Sequence, residues 1–180
     1  QIGTAKFGVR NNDGELSDDK LREVAAFETV RMFEIKLAQG AKPGKGGILP
    51  GSKVTAEIAK IRGLNVGQSG ISPNRHAEVD DWNDLLDLVD RVRSVTGKPV
   101  GIKTVVGAKE PIKEFFNAIV ARGVESAPDF IAVDGGEGGT GAAPMPLIDL
   151  VGMSIREALI TVVDERDCAG LKERVRVIAS

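Results

Sequence analysis

The sequence predicts an α/β fold in which parallel strands alternate with helices. Three features carry that reading. Residues 130–133, F-I-A-V, form a short apolar run of the kind found in strands covered on both faces. Residues 100–106, V-G-I-K-T-V-V, form a second such run. Helical periodicity and helix stop signals lie between and around them, so consecutive strands are joined by helical crossovers and pair in parallel.

Taken in order, residues 5–10 (A-K-F-G-V-R) read as a first strand, and N-N-D-G at 11–14 as a turn. Ser17 is placed to N-cap a helix from Asp18 to about Phe27, with Asp18 and Asp19 favoured in its first turn. Residues 31–38 (R-M-F-E-I-K-L-A) read as a second strand. Glu34 and Lys36 alternate there with Phe33, Ile35 and Leu37, so one face carries two charges that need a polar destination, such as a barrel lumen or a ligand. Residues 39–53 hold five glycines and two prolines, which excludes a helix or interior strand. Loops of about 15 residues are usually functional. Thr55 caps a short helix through Arg62, and residues 65–73 return irregularly. Asp80 and Asp81 open a helix through about Val95, with Trp82, Leu85, Leu86, Val89 and Val92 on one side. Gly97 and Pro99 end it.

The third strand, residues 100–106, precedes a helix that starts near Pro111 and stops at Gly123. The fourth strand runs into a loop with five glycines among residues 135–141. A helix at 154–163 and a fifth strand at 175–179 follow. A strand, a glycine loop and a helix make the layout of an anion-binding site. Five strands cannot close an eight-stranded barrel, which takes about 250 residues. The chain stops after a strand and lacks an initiator methionine, so residues 1–180 read as one incomplete domain of a longer protein.

Composition narrows the class. Hydrophobic content of 42% and charged content of 28% are ordinary for a water-soluble globular domain. A net charge of −2 gives no general attraction to nucleic acid or anionic membrane. No apolar run nears the length that spans a bilayer, and no signal peptide is recognisable. A single cysteine excludes an internal disulfide and fits the cytoplasm. It cannot ligate an iron–sulfur cluster, and near a helix end Cys168 reads as structural.

Several residues stand out as chemistry. Gly136 to Gly141 matches G-x-G-x-x-G, but in a late unit and with no acid closing the next strand, which argues against a dinucleotide fold. Lys42, Lys45, Lys53, Ser52 and Arg62 make a cationic, donor-rich stretch suited to a dicarboxylate or phosphate; a solvated basic loop is the alternative. Lys103 lies mid-strand, so its ammonium must be paired or face a polar lumen, unless the strand is an edge and the side chain reaches solvent. His76, the sole histidine, reads as a substrate contact or a surface-loop residue, without the partners of a metal site.

Three stretches together resemble the synthase domain of glutamate synthase, in its short, stand-alone FMN-binding form. They are E-I-K-L-A-Q-G-A-K-P-G-K-G-G-I-L-P-G-S-K (34–53), V-G-I-K-T-V-V (100–106) and D-G-G-E-G-G-T-G-A-A-P (134–144). The resemblance implies a partial (β/α)8 barrel lacking its first and last units, with FMN at the C-terminal face. It implies hydride delivery to 2-iminoglutarate, formed from 2-oxoglutarate and ammonia, giving L-glutamate. Lys103 and Gln39 match flavin neighbours. Lys42, Ser52 and Arg62 match contacts to 2-oxoglutarate, and Gly138, Gly139, Thr140 and Gly141 match the loop lining the flavin side. Ile48 stands where the family has glutamine, and Asn74 to His76 depart from its prolines and histidines. Separate glutaminase and electron-donor proteins are the implied partners. The flavin phosphate loops of the family fall beyond this segment, so the segment alone is expected to be inactive. Two other readings stand beside this one: a non-catalytic phosphate- or nucleotide-binding module, and a barrel fragment that self-associates through exposed strand edges.

Overall fold

The computed structural model describes residues 1–37, 46–137, 145–147 and 150–180. Helix starts are set by short polar side chains. Ser17 accepts the Lys20 N–H to open α1 (Asp18–Ala26), and Thr55 accepts the Ile58 N–H to open α2 (Ala56–Arg62). Asp81 and Asp84 form a reciprocal capping box at α3 (Trp82–Thr96). Pro111 sits in the first turn of α4 (Lys109–Arg122), where its missing N–H costs nothing. Ser154 and Glu157 form a second capping box at α5 (Ile155–Cys168).

The strands are β1 (Phe33–Lys36), β2 (Ile48–Leu49), β3 (Gly70–Ile71), β4 (Val100–Val105), β5 (Phe130–Asp134) and β6 (Arg176–Ala179). Four of them form an open parallel sheet in the order β1-β4-β5-β6, while β2 and β3 pair antiparallel. The apolar and polar faces of the sheet follow from its period of two. Phe33, Ile35, Val100, Ile102, Ile131 and Val133 join one buried cluster with Leu85, Leu86, Val89 and Val92 of α3, Phe115, Phe116 and Ile119 of α4, and Ala158 and Val162 of α5. The opposite face carries Glu34, Lys36, Lys103 and Asp134, as the alternation in β1 predicts. Trp82 packs on Phe115 within this helical layer, with ring centroids 5.4 Å apart at 57°.

Asp129 fastens the N-terminal ends of the strands. Its carboxylate accepts the Val100 N–H at 2.8 Å and bonds from Arg93 and Arg174, while its backbone bonds Val100 and Arg176. One side chain thus ties α3, β4, β5 and the approach to β6.

Residues 5–10 are a correction. They form turns, with Lys6 at φ 51° and Gly8 at φ 85°, and no strand. The sheet instead gains a single bridge from Ile2 to Ile35, made by Ile2 N–H to the Glu34 carbonyl (2.7 Å) and Lys36 N–H to the Ile2 carbonyl (2.8 Å). The β2–β3 pair is a second difference, since both stretches read as irregular. Cys168 is the last residue of α5 and is exposed, so core packing does not account for it.

Candidate functional site

Lys103 sits on an interior strand, in register with Lys36 of β1 and Ala132 of β5. The edge-strand alternative therefore fails. Its ammonium lies 2.9 Å from a carboxylate oxygen of Asp134 and donates to the Ser180 hydroxyl at 2.7 Å. Both partners are mostly buried, so the pair is less screened than a surface ion pair. Sequence reasoning missed Asp134 because 31 positions separate it from Lys103. Only the parallel register, which sets Asp134 beside Val105, brings them together.

Beside this face opens a cavity of about 560 Å³. Its wall comes from the N-terminal turns (Thr4, Lys6, Phe7), the end of β1 (Lys36), the β2–β3 pair with Gly46 and Ser72, and the end of α2 (Ile61, Arg62). Lys6, Lys36 and Arg62 line it, and among the described residues no aspartate or glutamate does. Among the described residues no ion pair takes Lys36 or Arg62. Two guanidiniums lie over the Phe7 ring, Arg10 at 4.6 Å and Arg62 at 4.9 Å from its centre. Arg10 also donates to the carbonyls of Arg62 and Gly63, closing the C-terminus of α2. Arg62 is thus held over an aromatic ring, and no hydrogen bond takes its guanidinium among the described residues. Gly46 is required by crowding: a Cβ there would lie 1.6 Å from the Ser72 carbonyl oxygen.

Ser72, Pro73 and Asn74 line this cavity, and residues 75–79 follow them behind its wall. The Thr4 hydroxyl donates to the Pro73 carbonyl at 2.7 Å, and the Lys6 ammonium meets Glu78 at 2.8 Å. His76 is 2% exposed, with Nε2 2.9 Å from the Lys36 carbonyl oxygen. Its Nδ1 is buried without a partner among the described residues, which costs about 1–3 kcal/mol. Burial lowers the imidazole pKa, opposed by the bond to Lys36 and the charge of Glu78, and Lys6 adds to the lowering. Desolvation pushes the Glu78 pKa up, but the hydrogen bond and charge of Lys6 outweigh it and the net direction is down. Lys6 holds its place in the left-handed region, at a cost of about 1–2 kcal/mol for a residue with a Cβ. The surface-loop reading of His76 is therefore overturned; only its burial, invisible in the sequence, decides this.

Comparison with known proteins fits this geometry. The family model described as a conserved region in glutamate synthase matches residues 1–180. The chain belongs to the glutamate synthase family. It is 42% identical over 180 residues to the glutamate synthase large subunit-like protein YerD of Bacillus subtilis, covering all of this chain and 34% of that protein. It is 36% identical over 182 residues to the archaeal glutamate synthase [NADPH] of Methanocaldococcus jannaschii, covering all of this chain and 32% of that one. It is also 36% identical to the chloroplastic ferredoxin-dependent glutamate synthase 2 of Arabidopsis thaliana, covering 93% of this chain and 10% of that protein. The chain thus spans about a third of the length of the first two relatives.

Within this segment the site residues expected from the family divide. Arg62 lines the cavity and Lys103 lies on the neighbouring sheet face. Ser52, in the short 3-10 turn Gly51–Lys53, is exposed and does not line the cavity. Gln39, Lys42, Gly138, Gly139, Thr140 and Gly141 lie outside the described residues. Ile48 lines the cavity and is half-exposed. In the β2–β3 pair Leu49 is in register with Gly70, whose open side Phe7 and Leu49 cover, and Ile48 is in register with Ile71.

The helix after the glycine loop carries its own anion. Both carboxylate oxygens of Glu137 accept the Ile155 N–H, at 2.9 and 3.0 Å, at the positive end of α5. The strand–loop–helix layout is therefore satisfied internally at this point. Gly136 and Gly152 touch backbone to backbone, and a Cβ on Gly136 would lie 2.4 Å from Gly152. Among the described residues no cluster of His, Cys, Asp and Glu could hold a metal ion, and no helix is long and apolar enough to cross a membrane.

Proposed function

We propose that this segment belongs to an FMN-dependent glutamate synthase that reductively aminates 2-oxoglutarate to L-glutamate. The observation that carries the reading is Lys36. It lines a cavity with two further cations and, among the described residues, no acid, and it stands in register with Lys103 on the polar face of the sheet. A dicarboxylate and an electron-rich ring would thereby meet at adjoining sites. The open parallel sheet is read as part of an eight-stranded barrel, whose C-terminal strand ends hold such sites.

The residues present suit that cofactor. Lys103 offers a cation beside the space above β4, where an isoalloxazine gains negative charge on reduction, and Asp134 keeps the ammonium in place. When bound, the flavin supplies the hydride that converts the imine carbon of 2-iminoglutarate to the amine carbon of glutamate. Lys36 and Arg62 hold the substrate carboxylates, Arg62 through two parallel N–H bonds. Lys42 and Ser52 are proposed as further substrate contacts. Gln39 and the loop of Gly138, Gly139, Thr140 and Gly141 are proposed as cofactor contacts. Ammonia and electrons would come from separate glutaminase and electron-donor proteins, in the cytoplasm, and the isolated 180-residue segment would be inactive.

The test is the visible spectrum of the full-length protein. A flavin spectrum, bleached by reductant and restored by 2-oxoglutarate with ammonium, supports the reading. A colourless protein that ignores added FMN sinks it and favours a non-catalytic anion-binding module, which the cation-lined cavity would also serve.

A further inference from the structure

Three contacts join the segment at 72–79 to the cavity wall. The first is Thr4 to Pro73, the second Lys6 to Glu78, and the third His76 to the carbonyl of Lys36. Thr4, Pro73, Lys6 and Lys36 all line the cavity. A carbonyl only accepts, so His76 Nε2 carries the proton and donates, and Nδ1 is a bare acceptor. That acceptor is buried and unpartnered among the described residues. Lys6, 5% exposed, holds a left-handed backbone. Two unfavourable local features beside one cavity mark a site positioned at the expense of stability.

We infer that His76 and Glu78 are positioning residues for the cations of this cavity. His76 fixes the backbone from which the Lys36 side chain rises. Glu78 occupies the ammonium of Lys6, so the cavity presents Lys36 and Arg62, which no ion pair takes among the described residues, to a small dianion of the dicarboxylate class. The inference rests on the reading of the cavity as a substrate site.

The test uses the full-length protein with its flavin, and glutarate as the probe. Calorimetry should show glutarate binding weakened at least tenfold by His76→Ala. The KM for 2-oxoglutarate should rise in parallel and kcat change less than threefold, with flavin absorbance and melting temperature retained. His76→Gln keeps an N–H within reach of the Lys36 carbonyl and should recover the affinity to within threefold of wild type. Glu78→Gln frees Lys6 and should tighten tricarballylate, a trianion, at least fivefold relative to glutarate. Glutarate affinity within twofold of wild type in His76→Ala overturns the role of His76, as does a His76→Gln protein no better than His76→Ala. An unchanged tricarballylate-to-glutarate ratio in Glu78→Gln overturns the role of Glu78. Should His76→Ala fail to fold, His76→Gln and Glu78→Gln decide, since a glutamine at 76 that leaves no affinity contradicts the inference. A wild type that binds glutarate but does not reoxidise flavin removes the reaction proposed above, and affinity alone then decides the positioning. A wild type that binds no glutarate overturns both.

Discussion

At the scale of single residues, burial and partners set the charge states on which the cavity depends. His76 and Glu78 both have folded pKa values below their ordinary ones of 6.5 and 4.5. A group with a depressed folded pKa stabilises the fold above its unfolded pKa and loses that contribution as pH falls through the folded value. His76 should therefore begin to erode stability below pH 6.5, and Glu78 below pH 4.5. Melting temperature followed across this range should fall in wild type and fall less steeply below pH 4.5 in Glu78→Gln; parallel curves would contradict the assignment. Lys103→Met should slow flavin reoxidation by 2-oxoglutarate by about 100-fold, the usual effect of removing one charge-stabilising donor; a stopped-flow rate near wild type would count against it. Lys103 was legible in the sequence because an ammonium amid Ile102 and Val105 demands a partner. The partner was not, because parallel neighbours are set by register across a long crossover. The surface-loop alternative for His76 fails for the same reason: the residue is buried and its ring partner, the Lys36 carbonyl, lies 40 positions away.

At the scale of elements, local chemistry was readable wherever it acts within a few residues. Ser17, Thr55, Asp81 and Ser154 each open a helix close to the expected place. Asp81→Ala removes the acceptor for the Asn83 and Asp84 N–H groups and should cost about 1 kcal/mol, read as a lower denaturant midpoint with an unchanged slope. The stretch at 5–10 defeated the same logic. Its alternation suits a strand, but the salt bridge from Lys6 to Glu78 and the packing of Arg10 and Arg62 over the Phe7 ring bend it into turns. Just after β5, the backbone of Gly136 lies against that of Gly152, which cannot yield as a side chain can. Gly136→Ala should therefore cost about 1–3 kcal/mol by overpacking, measured against Gly3→Ala, a position with open space, as the neutral control.

At the scale of the whole molecule, the alternation of strands and helices was visible from apolar runs and stop signals, whereas the antiparallel β2–β3 pair was not, since two-residue strands carry no period. The sheet is pinned at one end by Asp129, which serves three elements at once. Asp129→Ala leaves the Val100 N–H without its acceptor and takes one carboxylate partner from each of Arg93 and Arg174, and should cost about 2–3 kcal/mol, allowing for partial solvent exposure. Urea titration would register this as the largest midpoint shift among the substitutions named; a shift smaller than that of Asp81→Ala would contradict the pinning role. The packing of Trp82 on Phe115 has an optical consequence. The chain has one tryptophan and no tyrosine, so the near-ultraviolet emission of this segment comes from a single indole. That indole stands at the first turn of α3, a few residues beyond Glu78, with its ring against α4. Its fluorescence is thus a built-in gauge: loosening of the segment behind the cavity wall and separation of the two helices would each change the colour or intensity of one known emitter, with no label attached.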